Sequence, residues 1–246
     1  MTRVGRVLAC LVSAVSVAAI VLVGASPASA AGRHAVWRAP NHKISHSTSS
    51  NWAGYAVTGG HYTTVTSTWV QPAVKCTGTA YSSFWVGIDG DTSGTVEQTG
   101  TEADCNGSTP VYSAWYEMYP KYPVNYSNPV APGDHFTATV STNGAGNFTL
   151  TLTNTTRGWT QSVAKRLKSA KLASAEVIAE APSSSGGVLP LANFGTVGFS
   201  GSTVNGAVLT SSTPGLDPIT MQSGSTVKAQ PSGMSSGSFS VAWKHA

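Results

Sequence analysis

Phe136-Thr137-Ala138-Thr139-Val140, then Asn143-Gly144-Ala145-Gly146, then Asn147-Phe148-Thr149-Leu150-Thr151-Leu152-Thr153 is the stretch from which the rest of the chain is read. On both sides of the central four residues, apolar positions alternate with threonine or alanine, the two-residue period of a half-buried strand. The Asn-Gly-Ala-Gly link supplies residues that tolerate positive φ, so it reads as a hairpin turn. Pro132-Gly133-Asp134 marks the turn into the first strand. From Asn51 onward Thr, Ser, Val, Gly and aromatics dominate, with turn residues every ten or so positions, which predicts an all-β sandwich or barrel. Further strands are expected at Val57-Thr58, Thr66 to Val70, Thr196 to Phe199 and Phe239 to Trp243. Val163 to Ala175 is rich in Ala, Lys, Leu and Arg, so an extended approach to Glu176 holding a short helical turn is expected there. The Gly/Ser-rich stretches at Ser183 to Gly187 and Ser232 to Gly237 read as loops.

The N-terminal residues carry Arg3 and Arg6, an apolar run from Val7 to Gly24, and then Ala25-Ser26-Pro27-Ala28-Ser29-Ala30-Ala31. This is the layout of a secretory signal peptide over 1–31, cleaved after Ala30 or Ala31. A retained anchor fits less well, because Pro27 and small residues follow the apolar run directly. Residues 32–48 lack apolar periodicity and read as a flexible lead-in or short pro-segment, leaving 49–246 as a single domain. The expected product is secreted and leaves no membrane attachment after cleavage. With Arg3 and Arg6 removed, the formal charge falls from +4 to +2 (12 basic, 10 acidic residues). That charge makes no case for nucleic acid, and Lys165, Arg166, Lys168 and Lys171 lack the interleaved aromatics that would stack bases. Cys10 lies in the signal, so Cys76 and Cys105 are expected to form one disulfide. The six histidines are scattered without ligand spacing, and no metal or cofactor is expected.

Four segments carry polar and aromatic residues in strand register: Trp85-Val86-Gly87-Ile88-Asp89, Val96-Glu97-Gln98, Trp115-Tyr116-Glu117-Met118-Tyr119 and Ala175-Glu176-Val177-Ile178-Ala179-Glu180. Alternation puts Trp85 with Asp89 on one face, Trp115 with Glu117 and Tyr119, and Glu176 with Ile178 and Glu180. In a chain with ten acidic residues, this placement predicts a groove. Glu176 stands among Ala, Val and Ile, where a carboxyl is costly unless used, and it is the candidate acid/base group. Trp69 and Trp243 lack polar company and read as structural.

Asn51-Trp52-Ala53-Gly54, Trp85 to Asp91, Gln98-Thr99-Gly100, Trp115 to Pro120 and Ala175 to Glu180, in this order, resemble the glutamic peptidases, the eqolisin family. The resemblance runs from about Ser50 to near Phe199. It implies a two-sheet antiparallel β-sandwich of the concanavalin-like jelly-roll kind, whose concave face is a substrate groove holding a Gln/Glu dyad. It assigns Gln98 and Glu176 as the catalytic pair and Trp52, Trp85, Asp89, Trp115, Glu117 and Tyr119 to substrate binding or support. Its partners would be protein or peptide substrates, and a monomer is the default expectation. Two positions depart from the family pattern: Val96-Glu97, where an apolar pair is usual, and Met118, where Trp is frequent. Rival readings are a secreted carbohydrate-binding sandwich, a glycosidase using Glu117 with Glu176, and a catalytically inactive peptidase relative.

Overall fold

The computed structural model describes residues 48–91 and 93–246, so the expectations for the signal peptide and for 32–47 fall outside the described residues. The elements are Thr48–Ser49 (β1), Trp52–Thr58 (β2), Thr64–Val70 (β3), Ser83–Ile88 (β4), Val96–Asn106 (β5), Thr109–Tyr119 (β6), Val124–Asn125 (β7), His135–Thr142 (β8) and Asn147–Asn154 (β9). They continue with Trp159–Arg166 (β10), Ser174–Glu180 (β11), Ser183–Ser184 (β12), Gly187–Val188 (β13), Thr196–Val204 (β14), Ala207–Val208 (β15), Leu216–Ser223 (β16), Thr226–Pro231 (β17) and Phe239–Trp243 (β18). All are strands, as the alternation predicted.

The hairpin that opened the sequence reading is β8 and β9, with Phe136 opposite Asn154 and Val140 opposite Leu150. Gly144 and Gly146 in its turn both take positive φ, 78° and 80°. Phe136, Ala138, Val140, Phe148, Leu150 and Leu152 are buried, while the alternate threonines face outward. Across that outer face their hydroxyls bond sideways, Thr151 to Ser162 at 3.0 Å and Thr66 to Thr139 at 2.9 Å.

Hydrogen bonding links the strands in the order β10-β9-β8-β3-β14-β18-β17-β16-β2-β11-β4-β5-β6-β7. This path folds into two packed layers. β16 joins them, since its first half pairs with β2 and its second half with β17. Contacts between the layers include Tyr55 of β2 edge-on to Phe239 of β18, with centroids 4.8 Å apart. Trp69 of β3 donates its indole N–H to Thr101 Oγ1 of β5 at 3.0 Å. Phe84, Val86, Val177 and Ala179 of one layer and Phe136, Leu150, Phe199 and Val241 of the other lie in the shared core. The antiparallel two-sheet sandwich is therefore present, apart from the short parallel pair of β1 with β16.

Three details differ from the sequence expectation, the first being that Ser183 to Gly187, read as a loop, lies in the short antiparallel pair of β12 and β13. Val163 to Ala175 contains no helical turn: Val163 to Arg166 complete β10, and the residues after them run irregularly into β11. Pairing with β9 outweighs the helix propensity of these residues, a tertiary override of a weak local preference. β16 and β17 were also not foreseen; Pro218 stands where β16 pairs with Tyr55 of β2, a proline inside a strand that weakens the local strand signal.

The expected disulfide joins Cys76 to Cys105 across 29 residues, tying the segment after β3 to the end of β5. By loop-closure entropy such a link contributes about 3.5 kcal/mol. The double variant Cys76→Ser/Cys105→Ser should lose roughly that much unfolding free energy in urea titration at acid pH, with native secondary structure retained in circular dichroism.

Candidate active site

In the second layer, the register fixes which side chains meet. Glu176 of β11 lies opposite Gly87 of β4, Gly87 opposite Gln98 of β5, and Gln98 opposite Glu117 of β6. Residues directly opposite one another share a face, so Glu176, Gln98 and Glu117 project to the same side from one row. The adjacent row is Ile178, Trp85, Gly100 and Trp115. Beyond it Glu180 faces Trp52 on one flank and Ser83 on the other. Trp52, Ala56, Trp85, Val96, Trp115, Ile178 and Ile219, with Tyr119 against them, form an apolar cluster separate from the main core. This is the lining of the expected groove.

Gly87 is the one position of the Glu176 row without a side chain. It stands between Glu176 and Gln98 in the row, and a Cβ there would come within 2.9 Å of the Trp85 ring and 3.2 Å of Gln98 Cβ. Its bare backbone lets the Trp85 ring lie between Glu176 and Gln98, and the ring is the floor of the slot that separates these two side chains. Gly100 serves the neighbouring row, where a Cβ would lie 2.2 Å from the Phe84 carbonyl oxygen. Glycine at both positions is demanded by close approach.

Hydrogen bonding separates the carboxyl groups by role. Glu180 accepts from Asn51 Nδ2 at 2.9 Å and from Trp85 Nε1 at 2.7 Å, so it fixes the indole that walls the slot. Neither carboxyl oxygen of Glu176 has a partner in hydrogen-bond geometry, and the residue is fully buried. Gln98 Nε2 donates to Glu117 Oε2 at 2.6 Å. This uses one of its two N–H bonds and leaves the other, together with Oε1, for what enters the slot. Buried polar atoms without partners call for an explanation, and on this face they include both oxygens of Glu176, Oε1 of Gln98 and Oε1 of Glu117.

Asp89 behaves differently from its expected grouping with Trp85. It follows β4 with φ 67°, and its carboxylate turns away to accept the backbone N–H groups of Lys171, Leu172 and Ala173 at 2.8–2.9 Å. It therefore fastens the approach to β11, where Leu172 also has positive φ, 55°. Glu97 is adjacent to Gln98 in sequence but lies on the opposite face of β5, fully buried, with neither oxygen partnered in hydrogen-bond geometry. Alternation explains why it joins no part of the dyad.

The same alternation, followed further along β5, finds two residues the sequence reading passed over. Glu102 and Asp104 share the face of Gln98; Glu102 accepts from Ser113 Oγ at 2.7 Å, and Asp104 Oδ1 accepts the Ser82 N–H at 3.1 Å. The missed signal was the continuation of Gln98 at four and six residues, hidden because Thr-Glu-Ala-Asp-Cys reads as a polar turn. All ten acidic residues of the chain are buried.

Burial sets their protonation. It raises Glu97 to about 9, with the charge of Asp89 adding to it. Glu117 is pushed up to about 8 by burial and by Glu180, partly offset by the bond from Gln98. Glu180 and Glu102 rise to about 7, again through burial. Glu176 and Asp104 are likewise raised well above the ordinary carboxyl range by burial; for Glu176, Asp91, Asp89 and Glu97 add repulsion and only the Ser174 hydroxyl opposes it. Asp134 goes the other way: burial opposes its charge, but the donors Asn154 and Arg157 prevail.

The sequence profile of one family, described as "Peptidase A4 family", matches residues 50–243. Aspergillopepsin-2 of Aspergillus niger is 33% identical over 132 residues, covering 45% of this chain and 47% of that protein. Scytalidopepsin B of Scytalidium lignicola is 35% identical over 111 residues, covering 44% of this chain and 42% of that protein. The matched part thus spans slightly less than half the length of these relatives. Among solved structures, scytalido-glutamic peptidase with a peptide-based transition state analog superposes with a TM-score of 0.70 at 26% identity, covering 79% of this chain and 98% of that one.

Two measurements check this site. A carboxyl with a raised folded value keeps its proton where the unfolded chain has lost it. Its contribution to stability is complete below the unfolded value near 4.3 and fades as pH rises toward the folded one, at about 1.4 kcal/mol per pH unit for each group. Unfolding free energy should therefore fall by several kcal/mol between about pH 4 and pH 8, and Glu97→Gln should flatten that fall. A stability maximum at neutral pH in both proteins would contradict the assignment. Gly87→Ala should push the Trp85 ring aside and lower unfolding free energy by about 1–3 kcal/mol in urea titration.

Proposed function

This chain belongs to the Peptidase A4 family, and we propose that it is a secreted, acid-acting endopeptidase in which Glu176 and Gln98 form the catalytic dyad. The observation that carries this reading is the shared register row: a carboxyl group and an amide, both with unpartnered atoms, flank the slot above Gly87. An extended peptide lying against Trp52, Trp85, Trp115 and Tyr119 presents its carbonyl to that slot.

In the first step Glu176, as carboxylate, takes a proton from a water molecule while the water oxygen attacks the peptide carbonyl carbon. The free N–H of Gln98 donates to the oxygen that becomes negative, and Gln98 Oε1 accepts from the attacking water and orients it. In the second step Glu176 returns the proton to the leaving nitrogen as the C–N bond breaks, which restores the carboxylate. Burial favours the neutral form of Glu176, which suits the protonated state it reaches during attack; the attacking water donates to its unpartnered oxygens and so favours the carboxylate from which the step begins. Glu117 supports the amide. Below its raised value near 8 it is neutral, so no carboxylate charge beside Gln98 opposes the developing oxyanion, which favours work at acid pH.

The glycosidase reading needs Glu117 and Glu176 facing each other as a pair. Gln98 stands between them in the row and its amide is bonded to Glu117, which supports the amide-carboxyl dyad instead. Among the described residues no group of His, Cys, Asp or Glu could hold a metal ion, and no helix is long and apolar enough to cross a membrane.

The test is cleavage of a denatured protein from pH 2 to 8. Wild type should cleave best in acid, insensitive to chelators and to serine or cysteine reagents. Gln98→Ala should lower kcat about 100- to 1,000-fold, the typical loss for one oxyanion donor, and Glu176→Gln should lose at least as much. Full activity in Glu176→Gln would end the dyad assignment, whereas Glu180→Gln should act mainly on stability and on the Trp85 position.

A further inference from the structure

With all ten acidic residues enclosed, every exposed charged side chain among the described residues is a cation. Four of these, Lys165, Arg166, Lys168 and Lys171, fall in one short segment that leaves the end of β10 and leads toward β11. The segment is fixed at both ends. Where it crosses the β8–β9 hairpin turn, the Leu167 N–H donates to the Gly146 carbonyl oxygen at 2.8 Å, so close that a Cβ on Gly146 would lie 2.9 Å from the Leu167 carbonyl oxygen. At the far end the Asp89 carboxylate accepts the backbone N–H groups of Lys171, Leu172 and Ala173. Val163, Leu167 and Ala170 pack on the main core, which leaves the outer side of the segment to the charged residues. Beside it, Lys165 and Arg166 line a depression of about 520 Å³ together with Ser141, Asn143, Asn147 and Thr149.

We infer that this segment and the adjoining depression are a docking surface for a base-free phosphodiester polymer, a chain of the polyol phosphate kind. Charge complementarity is the first argument. Lys165, Lys168 and Lys171 follow one another at three-residue intervals, at most about 10 Å apart along the chain, a line of cations that matches a chain of repeated negative charges. Each Lys or Arg to phosphate contact is a charge-assisted hydrogen bond, and no exposed carboxylate side chain competes for the cations or repels the polymer. The depression adds hydroxyl and amide groups that can bond polyol oxygens. Acid selects among polyanions. The enclosed carboxyl groups make this a fold for low pH, where the carboxylates of an acidic peptide or uronic acid polymer lose their charge near pH 4 and a phosphodiester keeps its own. Bases are not called for, because no aromatic residue interleaves with the cations, and the nearby Tyr116 ring is half-buried with Lys165 Nζ over it, 5.0 Å from its centroid. A lipid surface fits less well, since the apolar residues of the segment face the core and none is left to enter acyl chains. The surface lies on β8, β9 and β10, the layer opposite the groove, so a bound polymer leaves the groove open.

The experiment is fluorescence anisotropy of labelled poly(glycerol phosphate) at pH 5 over a salt series. Three proteins are compared: wild type, Lys168→Gln/Lys171→Gln, and Lys75→Gln/Lys244→Gln, which removes the same charge from exposed sites elsewhere. All three should share one thermal unfolding midpoint, since only solvent-facing side chains change. For wild type, log Kd should rise with log salt at a slope of about 3, roughly 0.7 for each phosphate neutralised on a single chain. The segment pair should weaken binding about tenfold at roughly 50 mM salt and lower the slope by about 1.4, whereas the control pair should change Kd less than about twofold. No binding by wild type overturns the inference, and so does an equal loss in the two double variants. Tighter binding to a single-stranded DNA oligomer of equal charge makes the surface a nucleic-acid site, and tighter binding to phosphatidylglycerol vesicles makes it a membrane site. Tighter binding to polygalacturonate makes it a carboxylate site, and any of these three results overturns the inference as well. Binding of poly(glycerol phosphate) that persists at pH 3, where polygalacturonate is released, supports it. None of these outcomes bears on Glu176-dependent cleavage.

Discussion

The alignment of β11, β4 and β5 is the constraint on which the site depends. A strand offers one side chain per face every second residue, so slipping any of these three by one position would turn Glu176 or Gln98 into the core and bring Val177 or Glu97 to the groove. Register is held from both faces. On the core side Ala175, Val177 and Ala179 pack against the other layer. On the groove side Gly87 admits the Trp85 ring and Gly100 admits the Phe84 carbonyl and the Trp85 Cβ, where any added Cβ would collide. Glu176 and Gln98, the pair proposed as the dyad, are thus positioned by backbone pairing within a sheet, which is more rigid than a loop.

Burial of every carboxyl group gives the molecule its electrostatic character. Most soluble domains keep acidic residues in water; here the ten are enclosed, and six of them are raised in proton affinity. Among the described residues the ion pair of Arg157 with Asp134 stands apart from this group, lying in the other layer between β8 and the turn after β9. A protein built this way gains protons in the folded state relative to the unfolded chain. Acid, which breaks the ion pairs of ordinary proteins, here spares the fold. Stability therefore rises as pH falls, and the neutral Glu117 beside Gln98 favours the proposed chemistry in the same direction.

Not every carboxyl near the dyad serves it in the same manner. Glu180 aims Trp85, Glu117 aims Gln98, and Asp89 holds residues 171–173 so that β11 starts in register. These groups each spend their lone pairs on a named donor, whereas Glu176 has none in hydrogen-bond geometry. Glu176 and Glu180 are four residues apart on one face, and their hydrogen bonding tells them apart where sequence spacing does not.

The sequence by itself determined that the chain is all-β, which residues of β8 and β9 face the core and that Cys76 and Cys105 pair, and it pointed to Trp85, Trp115, Glu117, Glu176 and, through the family resemblance, Gln98 as site candidates. These features are local: a period of two, a turn composition, a short motif. Only the tertiary structure decided that Glu176, Gly87, Gln98 and Glu117 share one row, that Glu97 and Asp89 point away from the groove, and that Glu102 and Asp104 extend it. Alternation along a strand fixes a side chain's face relative to its own neighbours, but which strands lie adjacent, and in what register, depends on pairings between residues up to a hundred or more positions apart that no local pattern encodes.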